Sequence, residues 1–184
     1  MAQGKHVGER TGFTLIELLV VVGILAILTI AALIAINPLE MQRRSRDSAR
    51  LTAIARLQSV IETYINDEGL GAFVGANDVT SVGQGTGKSQ DCANNWVGVD
   101  LCQYLKQVPM DPQNDRSITV LDGTGGRLNS TAGYAFFIDT DTGDYEICTY
   151  LEAENNNDIL ADDSGNQADV FENGTNTDVI SCSL

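Results

Sequence analysis

The residues able to do chemistry in this chain are few and unevenly placed. His6 is its only histidine, and beyond residue 12 the only lysines are Lys88 and Lys106. Without an imidazole there, neither a Ser-His-Asp nor a Cys-His arrangement can be built in that part of the chain. Carboxylates are plentiful, but no spacing marks a cleft, so the residues describe no enzyme. The four cysteines are Cys92, Cys102, Cys148 and Cys182, with nine, 45 and 33 residues between them. None of these gaps is the short C-x-x-C spacing of a zinc or iron–sulfur site. An even count in a small exported domain instead favours disulfides. Of three pairings, Cys92–Cys102 around Trp96 and Cys148–Cys182 at the C-terminal end are preferred; four free buried thiols are the alternative. Gly85-Thr86-Gly87-Lys88-Ser89 hints at a phosphate loop. The residue five before Gly87 is Val82, so the full motif is absent.

Glu17 is the most informative single residue. It stands inside Phe13-Thr14-Leu15-Ile16-Glu17-Leu18-Leu19-Val20-Val21-Val22, and from Leu18 to Ile36 no charge follows for 19 residues. As a helix that run spans about 28 Å, close to the ~30 Å hydrocarbon core of a bilayer. An ionised carboxylate at membrane depth costs at least about 2.5 kcal/mol, which calls for a partner unless it reaches the headgroups. Residues 1–12, MAQGKHVGERTG, are short and polar. Asn37, Pro38 and Leu39 follow the apolar core, so the small-residue cleavage site of a secretory signal is missing.

Gly12 followed by Phe13-Thr14-Leu15-Ile16-Glu17-Leu18 resembles the leader and N-terminal helix of type IV pilins and type II secretion pseudopilins. The likeness runs over residues 9–66. It implies that a prepilin peptidase cuts between Gly12 and Phe13 and that the new Phe13 amino group is methylated. It implies further that Glu17 pairs with the Phe13 amino group of a neighbouring subunit. The physics agrees, because removing one of two buried opposite charges strands the other. Tyr104-Leu105 through Val108-Pro109-Met110-Asp111-Pro112, with Gly133-Tyr134, looks like the head of major pseudopilins. Those relatives often bind calcium near the C-terminus. Asp158, Asp162, Asp163 and Asp169 are the candidate ligands here, and a solvated acidic loop is the default.

The elements that must carry these residues divide the chain into a leader (1–12), a membrane or filament-core helix (13–36), its amphipathic continuation (37–68) and an exported head (69–184). Pro38 lacks an N–H and crowds the preceding turn, which predicts a kink near residues 33–38. Leu51, Ile54, Leu57, Ile61, Tyr64 and Ile65 fall on one face, and Arg43, Arg46 and Arg50 on another. Gly69 and Gly71 end the helix. Residues 69–90 read as a loop and 92–106 as a short helical turn. Residues 118–121, 134–138 and 145–151 read as strands, with Asp139-Thr140-Asp141-Thr142-Gly143-Asp144 as a turn. The fold expected is α+β: a long helix with a small antiparallel sheet packed on its second half.

Charge completes the reading. The chain carries a formal net charge of -14, and from Asp100 onward 16 acidic residues face only Lys106, Arg116 and Arg127. So acidic a head argues against nucleic-acid binding through it, since phosphate neutralisation needs Lys and Arg. Five of the 11 basic residues lie between Arg43 and Arg56. On charge alone the membrane orientation is ambiguous. The expectation is that this Arg cluster meets the acidic heads of neighbouring subunits. The resemblance implies a filament subunit whose partners are its own copies, prepilin peptidase, an inner-membrane assembly platform and minor pilins. A pilus-like fibre and a secretion pseudopilus both fit. A signal-anchored binding protein that never polymerises is the alternative of another class.

Overall fold

The structure is a computed structural model that describes residues 12–74, 78–83, 90–177, 182 and 184. It divides into two compact units, 1–41 and 42–184. Leader residues 1–11 and residues 85–89 of the glycine-rich segment lie outside the described residues.

In the first unit, helix α1 runs Leu15–Ile36. Leu, Ile, Val and Ala fill it without a helix-breaking proline. Its one hydroxyl, on Thr29, donates to the Leu25 carbonyl at 2.8 Å, so the apolar run presents no unpaired side-chain donor. Asn37 then adopts the left-handed conformation, φ 45°, and separates α1 from α2, Pro38–Glu68. Its side-chain oxygen and its carbonyl both accept the Glu40 N–H, at 3.3 and 3.1 Å. Pro38 takes the first helical position, where a missing N–H costs nothing. The predicted interruption is therefore a cap-and-restart at Asn37.

The second unit contains most of α2 and the whole head. Helix α2 stops at Glu68 because Gly69 takes φ 79°, a backbone that side-chain-bearing residues resist. A 3-10 turn follows at Leu70–Phe73. The strands are β1 (Asp78–Thr80), β2 (Ser117–Leu121), β3 (Arg127–Thr131), β4 (Tyr134–Ile138), β5 (Tyr145–Thr149) and β6 (Phe171–Gly174), with a short helix α3 (Asn157–Asp162) before β6. The main sheet is antiparallel in the order β1-β4-β5-β6, and β2-β3 form a separate hairpin.

The two faces of β4 and β5 bury against different neighbours, since strand side chains alternate. Tyr134, Phe136, Ile138, Tyr145 and Ile147 pack with Ile54, Leu57, Ile61 and Tyr64 of α2, joined by Phe73 and Trp96. Ala135, Phe137 and Cys148 pack with Ile118, Val120, Val170 and Cys182. The head therefore has three layers: α2, the sheet, and a cover of hairpin and C-terminal chain. The α+β expectation holds.

Three segment readings need correction. Residues 69–90 are more than a loop, for β1 sits within them and pairs with β4. Residues 152–178 are not a solvated loop. They contain α3 and β6, and Glu152 and Glu172 are buried. Strand β3 went unforeseen because Arg127-Leu128-Asn129-Ser130-Thr131 carries one apolar residue and is held by pairing with β2. The 92–106 segment is flanked by isolated bridges, Gln90 to Asn95 and Asp91 to Gln107, and holds the short helical turn expected, the Leu101 carbonyl accepting the Tyr104 and Leu105 N–H groups at 2.9 Å.

Candidate functional site

The predicted processing and assembly residues meet at the start of α1. Thr14 is its N-cap, in extended conformation, and Glu17 is the third helical residue. The Thr14 hydroxyl accepts the Glu17 N–H at 3.3 Å. In return Glu17 Oε2 accepts the Thr14 N–H at 2.9 Å and the Thr14 hydroxyl at 2.7 Å. This reciprocal capping box satisfies donors that a helix start leaves orphaned. The pattern Thr14-Leu15-Ile16-Glu17 is its sequence signature, and the reading of Glu17 as purely an assembly residue overlooked it. Phe13 is 91% exposed, directly before the cap. Gly12 has open space on its Cα, with nothing within 4 Å of a Cβ built there. Gly12 is thus followed by an exposed aromatic, and the Glu17 carboxylate folds back onto the next residue, Thr14.

Every described side chain of α1 is exposed, from Leu15 at 89% to Ile36 at 57%. Fifteen large apolar side chains in this state need a nonaqueous surrounding, because a contiguous apolar surface of this size is not kept in water by a soluble monomer. By length and composition the helix can cross a membrane.

Residues 9–33 match the prokaryotic N-terminal methylation motif. This is the prepilin cleavage motif of type IV pilins and pseudopilins, and it covers Gly12, Phe13 and Glu17. No curated protein and no solved structure matches the chain. The motif and α1 fit a pilin-like precursor anchored in the inner membrane.

Two of the five arginines of the block have a different fate from the one expected. Arg46 and Arg50 bind carboxylates within their own head. Arg50 is fully buried. It donates as a fork to Asp111, Nε to Oδ2 at 2.6 Å and Nη2 to Oδ1 at 3.1 Å, and through Nη1 to Asp47 at 2.9 Å and Glu152 at 2.7 Å. Arg46 forks onto Glu152 at 2.9 and 2.5 Å. Asp47 also accepts the backbone N–H groups of Glu152 and Ala153 and the amide of Asn156. Burial works against ionising Glu152, but hydrogen bonds and charges from Arg46 and Arg50 outweigh it and hold its carboxyl below the usual range. Apart from the Asp47–Arg50 pair, three residues apart on α2, no local pattern announces these contacts, because the partners lie 61 to 109 residues away.

The structure joins Cys92 to Cys102 and Cys148 to Cys182. The first closes the loop that carries Trp96, whose indole N–H donates to the Pro109 carbonyl at 2.8 Å. The second ties Cys182 to β5. Among the described residues, no three of the four aspartates expected as calcium ligands bring one carboxylate oxygen each within 4.8 Å of one another, and both Asp163 oxygens accept backbone N–H groups, from Gly165 and Glu172. In the Asp139–Asp144 turn, Asp139 likewise caps the N–H groups of Asp141 and Thr142.

Proposed function

We propose that the chain is a structural subunit of a type IV pilus-like filament, cut by prepilin peptidase between Gly12 and Phe13 and assembled through α1. The observation that carries this reading is a lone carboxylate, Glu17, at the start of a wholly exposed apolar helix, within the matched motif. Lipid covers α1 before assembly, and the α1 helices of other copies cover it afterwards. Cleavage creates an amino group on Phe13. In a packed bundle that cation and the Glu17 carboxylate of a neighbour relieve each other, and a misregistered subunit leaves both unpaired. Asn37-Pro38 gives the stalk a place to extend without breaking helix–helix contacts on either side. The inner-membrane assembly platform and minor pilins are the further partners. The likeness of residues 104–112 to pseudopilin heads favours a second reading, a major type II secretion pseudopilin.

The first test is the mass of the N-terminal peptide of membrane-extracted protein from its own host. A peptide starting at N-methylated Phe13 is the expected result. Intact leader, with the processing enzyme present, sinks the filament reading in favour of a signal-anchored binding protein. Loss of protein export on deletion, without loss of surface fibres, selects the pseudopilin.

A further inference from the structure

Opposite the α2-facing side of the sheet lies a pair of carboxyl groups with nothing to pair them. Glu146 on β5 and Glu172 on β6 are 0% and 1% exposed. Glu146 stands opposite Gly174 and Cys148 opposite Glu172, so the two glutamates are diagonal neighbours on one face. That face is the apolar one, with Ala135, Phe137, Tyr150 and Val170 around the Cys148–Cys182 disulfide. Glu146 Oε1 lies 3.1 Å from Cys182 Sγ and 3.7 Å from Cys148 Sγ. Neither disulfide sulfur carries a proton, so neither donates. Glu146 Oε2 and Glu172 Oε1 are buried without any protein hydrogen-bond partner. Glu172 Oε2 is better served, accepting the Gln167 N–H at 3.0 Å. Among the described residues no arginine or lysine bridges to either glutamate.

Two ionised carboxylates in this position have no counter-charge, and the cost of burying even one unpaired ion is prohibitive. Either a cation or a proton must enter. The donor set decides between them. A calcium ion takes six to eight oxygens, and among the described residues Glu146, Glu172 and Asp163 do not bring one carboxylate oxygen each within 4.8 Å of one another. So sparse a set of carboxylates favours a proton over a divalent ion. One proton suffices, because like carboxyls in contact cannot both ionise.

We infer that Glu146 and Glu172 bind one proton between them, Glu146 donating it to Glu172, and that this hydrogen bond fastens β6 to β5. Glu172 is the acceptor because it already has a backbone donor and Glu146 has none. The charged groups facing the pair are Asp163 after α3 and the two glutamates themselves; β4 offers Ala135 and Phe137. Burial first, then Glu172 and Asp163, raise the Glu146 carboxyl to about 8. Burial likewise raises Glu172 and Asp163. A carboxyl raised in the folded state stabilises fully below its unfolded value and loses that contribution as pH climbs through the folded one. The clamp therefore holds in acid and at neutrality and opens in alkali.

The test uses the full-length chain in detergent micelles. For wild type, the head's unfolding temperature is expected to fall by about 5 °C or more between pH 6 and pH 9 as the pair ionises. Glu146→Gln, neutral at every pH and still able to donate to Glu172, should match wild type at pH 4, exceed it at pH 6 and exceed it most at pH 8 to 9. Carbon-13 NMR of labelled glutamate in wild type, which needs no variant to fold, should show one carboxyl titrating above pH 7. All glutamates titrating below pH 6 overturns the proposal. So does a calcium-dependent rise of the wild-type unfolding temperature at pH 8 that Glu146→Gln abolishes, since that marks a cation site. These readouts are independent of whether the chain forms filaments.

Discussion

The Arg50 cluster and the Glu146 pair are both buried charge within one head, and they solve the problem in opposite ways. Around Arg50, two guanidinium groups meet three carboxylates, and every fork has a partner. Around Glu146, two carboxyls meet a disulfide and apolar side chains, with two oxygens left bare. The first group is ionised and locks α2 to the segments at Asp111 and Glu152. The second is neutralised by a proton and holds an edge strand. The lesson is that burial alone does not say whether a carboxyl is charged; the count of donors does.

The largest effect should come from breaking the first cluster. Arg50→Met strips Asp111 of its guanidinium fork and takes one charged donor each from Asp47 and Glu152, and removing one partner of a buried ionic group costs about 3–5 kcal/mol. Chemical denaturation of the full chain should show this loss, and simultaneous Asp111→Leu should recover part of it. Next come the covalent ties. By loop-closure entropy, the Cys148–Cys182 link, with a separation of 34 residues, contributes about 4 kcal/mol and the Cys92–Cys102 link, with a separation of 10, about 3. Paired serine variants should therefore melt in that order. The Cys148→Ser and Cys182→Ser pair also puts hydroxyl donors beside Glu146 Oε1, where the disulfide has none, so this variant should have a flatter alkaline limb than wild type.

The two clusters also respond to pH with opposite sign. Glu152 is depressed by its arginines, so its contribution exists above the unfolded carboxylate value and is lost as pH falls through the folded one. Glu146 is raised, so its contribution is lost as pH rises toward 8. Stability should peak in mildly acidic buffer and decline on both sides. Glu146→Gln should remove only the alkaline decline, and Glu152→Gln should blunt the acid one while lowering the maximum. A profile scanned by circular dichroism from pH 3 to 9 separates the two.

The smallest effect concerns Glu17, whose two roles are separable. Thr14→Ala removes half the capping box and should weaken the start of α1 by about 1 kcal/mol. Filament yield should survive it. Glu17→Ala removes the charge as well and should abolish assembly. Equal loss in both variants would mean that capping, and not pairing with a neighbour, is what Glu17 does.

Much of this molecule was legible along the chain because the relevant physics is local. The run from Leu18 to Ile36 has one feasible surrounding, whatever the head does. Thr14 and Glu17 find each other within one helical turn. Asn37-Pro38 interrupts a helix by its own backbone chemistry, and Gly69 ends one. The apolar spacing of Ile54, Leu57, Ile61 and Tyr64 marked the face that the sheet covers.

Tertiary structure alone decided the rest. Arg50 looked like part of a basic block meant for neighbouring subunits until Asp111 and Glu152 arrived from 61 and 102 residues away. Residues 152–178 looked like an acidic loop because their composition is polar; β6 exists only because β5 supplies its hydrogen bonds. Glu146 sits at an outward position of an alternating strand, where a two-layer head would leave it in water. The third layer, closed by the β2-β3 hairpin and Cys182, buries it. A residue's type and its neighbours in sequence set what it can do. Which charges lose their water depends on which distant segments cover them, and sequence spacing carries no record of that.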